Sequence, residues 1–102
     1  MDKKYFVMYL RPNRPDFAQT MTPEELSIMQ QHVAYWKPYL DDGTMIVYGP
    51  VFDPKAVYGI GIIGVNGEEE LKSLIEKDPA SQINKYEYFP MRAVVGNKVA
   101  EV

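Results

Sequence analysis

The stretch Val57-Tyr58-Gly59-Ile60-Gly61-Ile62-Ile63-Gly64-Val65 reads as a β-strand whose two faces are both apolar. Successive strand side chains alternate, so Val57, Ile63 and Val65 project one way and Tyr58, Ile60 and Ile62 the other. An antiparallel strand with one solvated face should alternate apolar with polar residues, and this one does not. Its glycines make no phosphate loop, because no helix start follows Gly59 at the required spacing. They are expected instead to let helices pack closely on the sheet.

Working outward, Lys4-Tyr5-Phe6-Val7-Met8-Tyr9-Leu10 is a first strand of the same kind, with Tyr5, Val7 and Tyr9 opposite Phe6, Met8 and Leu10. It ends at Arg11-Pro12, and the polar loop Arg11-Pro12-Asn13-Arg14-Pro15-Asp16 follows. Thr22-Pro23-Glu24-Glu25 is a helix start: Thr22 can cap, Pro23 suits the first helical position and Glu25 completes a capping box. Leu26, Met29, Val33, Trp36 and Leu40 then recur at helical spacing and predict one buried face. Pro38 should kink the last turns, and Gly43 should close the helix in a left-handed conformation. Thr44 to Tyr48 is a second strand running into Gly49-Pro50-Val51, with a turn at Phe52-Asp53-Pro54-Lys55. After the third strand, Asn66-Gly67-Glu68-Glu69 repeats the capping logic, Leu71, Leu74 and Ile75 mark a short amphipathic helix, and Asp78-Pro79 stops it. Tyr86 to Val95 is the last strand, and Gly96 to Val102 a polar tail.

The order is βαββαβ. Two right-handed split βαβ units place both helices on one side of a four-stranded antiparallel sheet, a ferredoxin-like α+β arrangement forming one domain over residues 1–102, with a core at about 4–95. Two helices cannot cover both faces of strands that are apolar on both, so a second subunit is expected on the free face.

Composition narrows the function. The 102 residues suffice for one modest core, and 46% hydrophobic with 25% charged residues is ordinary for a globular protein. A formal charge of −3 provides no basic field for nucleic acid or an anionic membrane. No apolar run approaches the roughly 18 residues of a spanning helix, no secretory signal is visible, and a cytoplasmic protein is expected. Cysteine is absent, which excludes disulfides and thiolate chemistry. With one histidine and scattered carboxylates, no metal-ligand spacing is recognisable, and neither metal nor cofactor is expected.

That histidine, His32, lies in a stripe with Glu25, Ile28, Tyr35 and Tyr39 beside the apolar helix face. Imidazole titrates near neutrality, yet a lone helical histidine is more often a boundary residue, and spacing alone leaves both readings open. Asp78 stands at a helix C-terminus, where the macrodipole disfavours an anion. It either ends the helix with Pro79 or is kept there for a partner. Arg11 and Arg14 could bind a carboxylate or phosphate, although solvated loop arginines are commoner. Gly49-Pro50 could admit a ligand close to the backbone, or simply end a strand.

A strand followed by a helix carrying one histidine, Gly49-Pro50 after the second strand, a glycine-rich third strand and a helix ending in Asp78-Pro79 together resemble the YCII-related (YciI-like) family, from Tyr5 to about Val95. The resemblance implies a dimeric α+β barrel and an active site with a histidine and an aspartate, here His32 and Asp78. Asp78 would orient and stabilise the imidazole while His32 moved a proton to or from substrate. The expected function is cofactor-independent lyase- or isomerase-like proton transfer on a small aromatic or anionic metabolite, with Arg11, Gly49 and Pro50 contacting it. The competing reading is a non-catalytic dimeric module that merely holds a small molecule.

Overall fold

The computed structural model describes residues 3–96. The strand at Val57–Val65 (β3) lies inside the sheet between Met45–Phe52 (β2) and Lys4–Pro12 (β1), and Asn84–Met91 (β4) pairs with the other side of β1. All three pairings are antiparallel, in the order β2-β3-β1-β4. A one-turn helix Phe17–Thr20 (α1) and the long helix Pro23–Asp41 (α2) connect β1 to β2. The helix Glu68–Lys77 (α3) and a 3-10 turn, Pro79–Gln82, connect β3 to β4. This is the expected ferredoxin-like topology.

The ends of α2 follow the sequence. The Thr22 hydroxyl accepts from Glu25 N at 3.1 Å, and Glu25 Oε1 accepts from Thr22 N at 2.9 Å. Arg14 adds a two-pronged grip on the same carboxylate, at 2.8 and 3.0 Å. Gly43 takes φ 87° just past the helix, a conformation that disfavours any side chain. At α3 the capping expectation changes form. Gly67 is the N-cap with no side-chain bond, and Glu70 instead reaches back to accept from Asn66 N at 2.8 Å.

The core lies between the sheet and the two long helices. Phe6, Met8, Met45, Ile63 and Val65 from the strands meet Trp36 of α2 and Leu71 and Leu74 of α3. The buried face of α2 is rotated from the one expected. His32 and Trp36 are buried and Tyr35 and Tyr39 pack on the core, whereas Leu26, Val33 and Leu40 are exposed. The physical reason is that His32, Tyr35 and Trp36 carry polar ends that find partners inside, and the aliphatic stripe contributes less area than two tyrosines and a tryptophan.

Several boundaries are also corrected. Gly49 and Pro50 lie within β2 rather than after it; Pro50 is tolerated because β2 is an edge strand. β1 continues through Pro12, beyond its last pairing with β3 and paired there only with β4. Phe17, with its ring buried under the Arg14 guanidinium, starts a helical turn inside what reads as loop. β4 begins at Asn84 and ends at Met91, so 92–95 are not strand. Of the expected polar tail, residues 97–102 lie outside the described residues.

The second sheet face is largely apolar, as expected, with the Arg11–Glu87 pair at one end. Pairing puts Tyr5, Val7 and Tyr9 beside Ile62, Ile60, Val47, Phe89 and Met91, and among the described residues no helix covers them. Val47 and Phe89 are more than half exposed. No helix among the described residues is long and apolar enough to cross a membrane.

Candidate functional site

α3 ends at Lys77, and Asp78 turns into extended backbone (φ −72°, ψ 122°) to cap the 3-10 turn that follows. Its Oδ1 accepts from Ala80 N at 2.9 Å. The anion at the end of α3 is therefore also the anion at the start of the next turn, where backbone N–H groups favour it. The two readings of Asp78 both hold: it ends one element, and it has partners.

Those partners converge from three elements. His32 Nδ1, on α2, lies 2.8 Å from Asp78 Oδ2 and 3.0 Å from Oδ1. Trp36 Nε1, one turn further along α2, donates to Oδ2 at 2.8 Å. The Tyr86 hydroxyl, on β4, donates to the same oxygen. Asp78 is 1% exposed, the most buried charged group in the site. Burial pushes its carboxyl upward, but hydrogen bonds from His32 and Tyr86, the imidazole's charge and the Ala80 N–H outweigh it and hold Asp78 below its ordinary value. It is thus a fixed anion. Tyr86 is pushed well above the usual phenol range by burial and by the Asp78 charge beside it, and remains a donor.

An ionised carboxylate can only accept, so His32 Nδ1 carries a proton and the other ring nitrogen, Nε2, is the one left to act. Among the described residues every fully buried side-chain nitrogen or oxygen has a partner. Nε2 has no hydrogen bond, hence it is the accessible end of the ring. The Tyr48 ring stands edge-on to the imidazole, with centroids 5.9 Å apart.

His32 opens onto a cavity of about 350 Å³ between the sheet and α1–α2, in the size range of small-molecule sites. Met8 and Leu10 of β1 and the backbones of Gly59 and Gly61 form its floor; Phe17, Met29 and Val33 form its walls. Gly59 and Gly61 were expected to admit a helix, but they leave the cavity open. A Cβ at Gly61 would stand 3.2 Å from Met8 Cε. Gly64 faces the other way and accommodates Tyr5, whose ring would be 2.8 Å from an added Cβ.

The structure brings His32, Asp78, Gly49 and Pro50 together, the first two bonded and the last two lining the same cavity. Arg11 is placed elsewhere. β-Alternation turns it to the far side of the sheet, where it pairs with Glu87 at 2.8 Å and lies over the Tyr9 and Tyr58 rings. Trp36, Tyr86, Tyr48 and Asn84 were not singled out in the sequence. The aromatic ones looked like packing residues, and nothing in the sequence shows that their polar ends point at one carboxylate or one cavity. Among the described residues no three metal-ligating side chains gather.

No curated protein matches the sequence. Among solved structures, the 5-chloro-2-hydroxyhydroquinone dehydrochlorinase of Burkholderia phenoliruptrix AC1100, in complex with 2,5-dihydroxybenzoquinone, is similar in fold: TM-score 0.61, 19% identity, covering 89% of this chain and 95% of that one. The model of the YCII-related domain matches residues 5–93. With nearly the whole described chain inside that match, the protein belongs to the YCII-related family.

Proposed function

We propose that the chain is a cofactor-independent enzyme of the lyase or isomerase type, in which His32 transfers a proton on a small molecule bound in the apolar cavity. The observation carrying this reading is the imidazole held at Nδ1 by a buried carboxylate with Nε2 opening onto that cavity. With the ring neutral, Nε2 holds a lone pair. It takes an acidic C–H or O–H proton from the substrate. The electron pair left behind either forms a new double bond as a leaving group departs with its own bonding pair, Nε2 giving up the proton to the departing group or to water, or is delocalised over an adjacent unsaturated bond and reprotonated by Nε2 at another carbon. Asp78 is the positioning group: it fixes the tautomer and offsets the charge gained by the ring, and its weakened basicity keeps it from taking the proton. A dehydrochlorinase with the same fold supports an elimination. The cavity lining contains no arginine or lysine, which favours an uncharged substrate over the anionic one.

The test is turnover. Purified protein is offered halogenated hydroquinones, with halide release and ring absorbance followed. General acid–base catalysis contributes about 10²–10⁴-fold, so folded His32→Ala should lose at least a hundredfold. Equal rates in the two proteins would refute the assignment. Saturable binding without turnover of any substrate would instead favour the holding module, a reading to which the single acid–base group in the cavity lends some support.

A further inference from the structure

Two polar groups line the cavity in addition to the Nε2 edge of His32 and the Tyr86 hydroxyl that is committed to Asp78: Asn84 and Tyr48. Asn84 starts β4 at the cavity wall. Its Nδ2 donates to Ala80 O at 3.1 Å and approaches Met29 Sδ at 3.6 Å. The carbonyl of Ala80 can only accept, which fixes the amide the way it stands; the flipped amide would set two oxygens against each other. The amide oxygen of Asn84 therefore remains, and among the described residues no donor meets it. The Tyr48 hydroxyl likewise has no hydrogen-bond partner among the described residues, while burial and the Asp78 charge hold it protonated. The cavity thus presents one fixed acceptor, Asn84 Oδ1, the Nε2 edge of His32, which accepts when the ring is neutral, and one adaptable hydroxyl, within walls that are otherwise hydrocarbon.

We infer that Asn84 is the specificity-determining residue of this cavity, which takes an uncharged planar ring bearing hydroxyl donors, read by the Asn84 amide oxygen as well as by His32. This deepens the proposed function and rests on its placement of the ligand. A ligand without donors strips water from both oxygen and nitrogen and returns nothing, which is the usual source of strong discrimination against an analogue lacking a hydroxyl. A carboxylate would meet the Asn84 amide oxygen and neither lysine nor arginine, and would be excluded more strongly still. The flat apolar walls favour an aromatic ring, and a cavity of about 350 Å³ is large enough that a pair of methyl caps does not exclude one by size.

The experiment is equilibrium binding, by calorimetry and by NMR, of hydroquinone, 1,4-dimethoxybenzene and benzoate. Hydroquinone should bind at least tenfold more tightly than its dimethyl ether, and benzoate the most weakly. The Asn84 side-chain amide resonances should move with hydroquinone and not with the ether, a readout in the wild-type protein that does not depend on any variant folding. In Asn84→Leu the preference should fall at least threefold. Equal affinity for hydroquinone and the ether, tighter binding of benzoate, no binding of hydroquinone, or an unchanged preference in folded Asn84→Leu would each overturn the inference. The same measurements in His32→Ala separate it from the catalytic reading. A surviving hydroxyl preference with no turnover in the wild type leaves Asn84's role standing while proton transfer fails, and turnover without any hydroxyl preference does the reverse.

Discussion

Replacing Asp78 with asparagine keeps the shape of the side chain and removes its charge and one acceptor. The best orientation leaves the amide oxygen where Oδ2 was, so that His32, Trp36 and Tyr86 still find an oxygen, now a neutral one. The amide NH₂ then faces Ala80 N–H, which loses its acceptor. Hydrogen bonds to a charged group are worth about 1.5–3 kcal/mol against about 0.5–1.5 for neutral ones, and an orphaned buried donor costs about 1–3 kcal/mol. Three bonds weakened by about 1 kcal/mol and one orphan sum to about 5 kcal/mol. Burying an amide instead of an anion returns about 2 kcal/mol of desolvation, part of the several a buried ion costs. The expected loss is about 3 kcal/mol, or a Tm lower by roughly 12–24 °C for a domain of this size. Urea unfolding at pH 7, followed by far-UV circular dichroism and by the fluorescence of Trp36, the single tryptophan, measures it, with an unchanged m-value expected. The pH dependence adds a sign. The folded-state value of Asp78 lies below its ordinary 3.8, so its stabilisation is fully present above about pH 4 and is lost as pH falls through the lower folded value. The gap between the two proteins should therefore narrow below pH 4. A difference under 1 kcal/mol at pH 7, or a gap that widens on acidification, would refute the account of this carboxylate.

Glu25 is held at about 2, first by the Arg14 hydrogen bonds and then by the Thr22 N–H. Its contribution is present above its ordinary 4.5 and fades as pH falls toward 2, so thermal melts of Glu25→Ala should lie below wild type at pH 7 and converge with it in acid; a constant offset would contradict the capping role. Gly64→Ala drives a Cβ to 2.8 Å from the rigid Tyr5 ring and should cost about 1–3 kcal/mol, whereas Gly61→Ala comes closest to the flexible Met8 terminus, at 3.2 Å, and should stay within about 1 kcal/mol while weakening hydroquinone binding. Urea titrations that rank the two variants the other way would show that the floor, not the outer face, is the tighter contact. The uncovered face with Val47, Phe89 and Met91 predicts a homodimer by sedimentation equilibrium at micromolar concentration, shifted toward monomer by Phe89→Glu. A wild-type monomer would remove the basis for a barrel of two sheets.

What the sequence made legible is what local rules govern. The Thr22–Glu25 capping box, the left-handed Gly43, the strand alternation and the βαββαβ order need only neighbours in the chain, and each is present. Long-range chemistry did not follow from such rules. His32 and Asp78 are 46 residues apart, and family likeness rather than spacing joined them. The buried side of α2 was misjudged because hydrophobicity ranks Leu26, Val33 and Leu40 above Tyr35 and Tyr39, while the fold selects side chains with both a large apolar body and a polar end that reaches a partner, such as the Tyr35 hydroxyl on Leu74 O at 2.6 Å. Arg11 was placed near the site on charge alone, yet one position of strand alternation turns it to the opposite face. Asn84 carries no signal of its own in the sequence; only its bond to the carbonyl of Ala80 shows which end of the amide is left without a partner.

Asp78 is also a fastening between the two halves of the split repeat. Its donors come from α2 in the first half, from β4 in the second and from the turn between α3 and β4. Such distant contacts close late, after the local helices and turns have formed, because the intervening chain must first be brought back on itself. A chain with only one half assembled would hold a histidine free to adopt either tautomer, and no enclosed hollow beside it. Refolding should therefore restore helical signal before it restores reactivity, and half-made molecules would be chemically silent toward any metabolite they met.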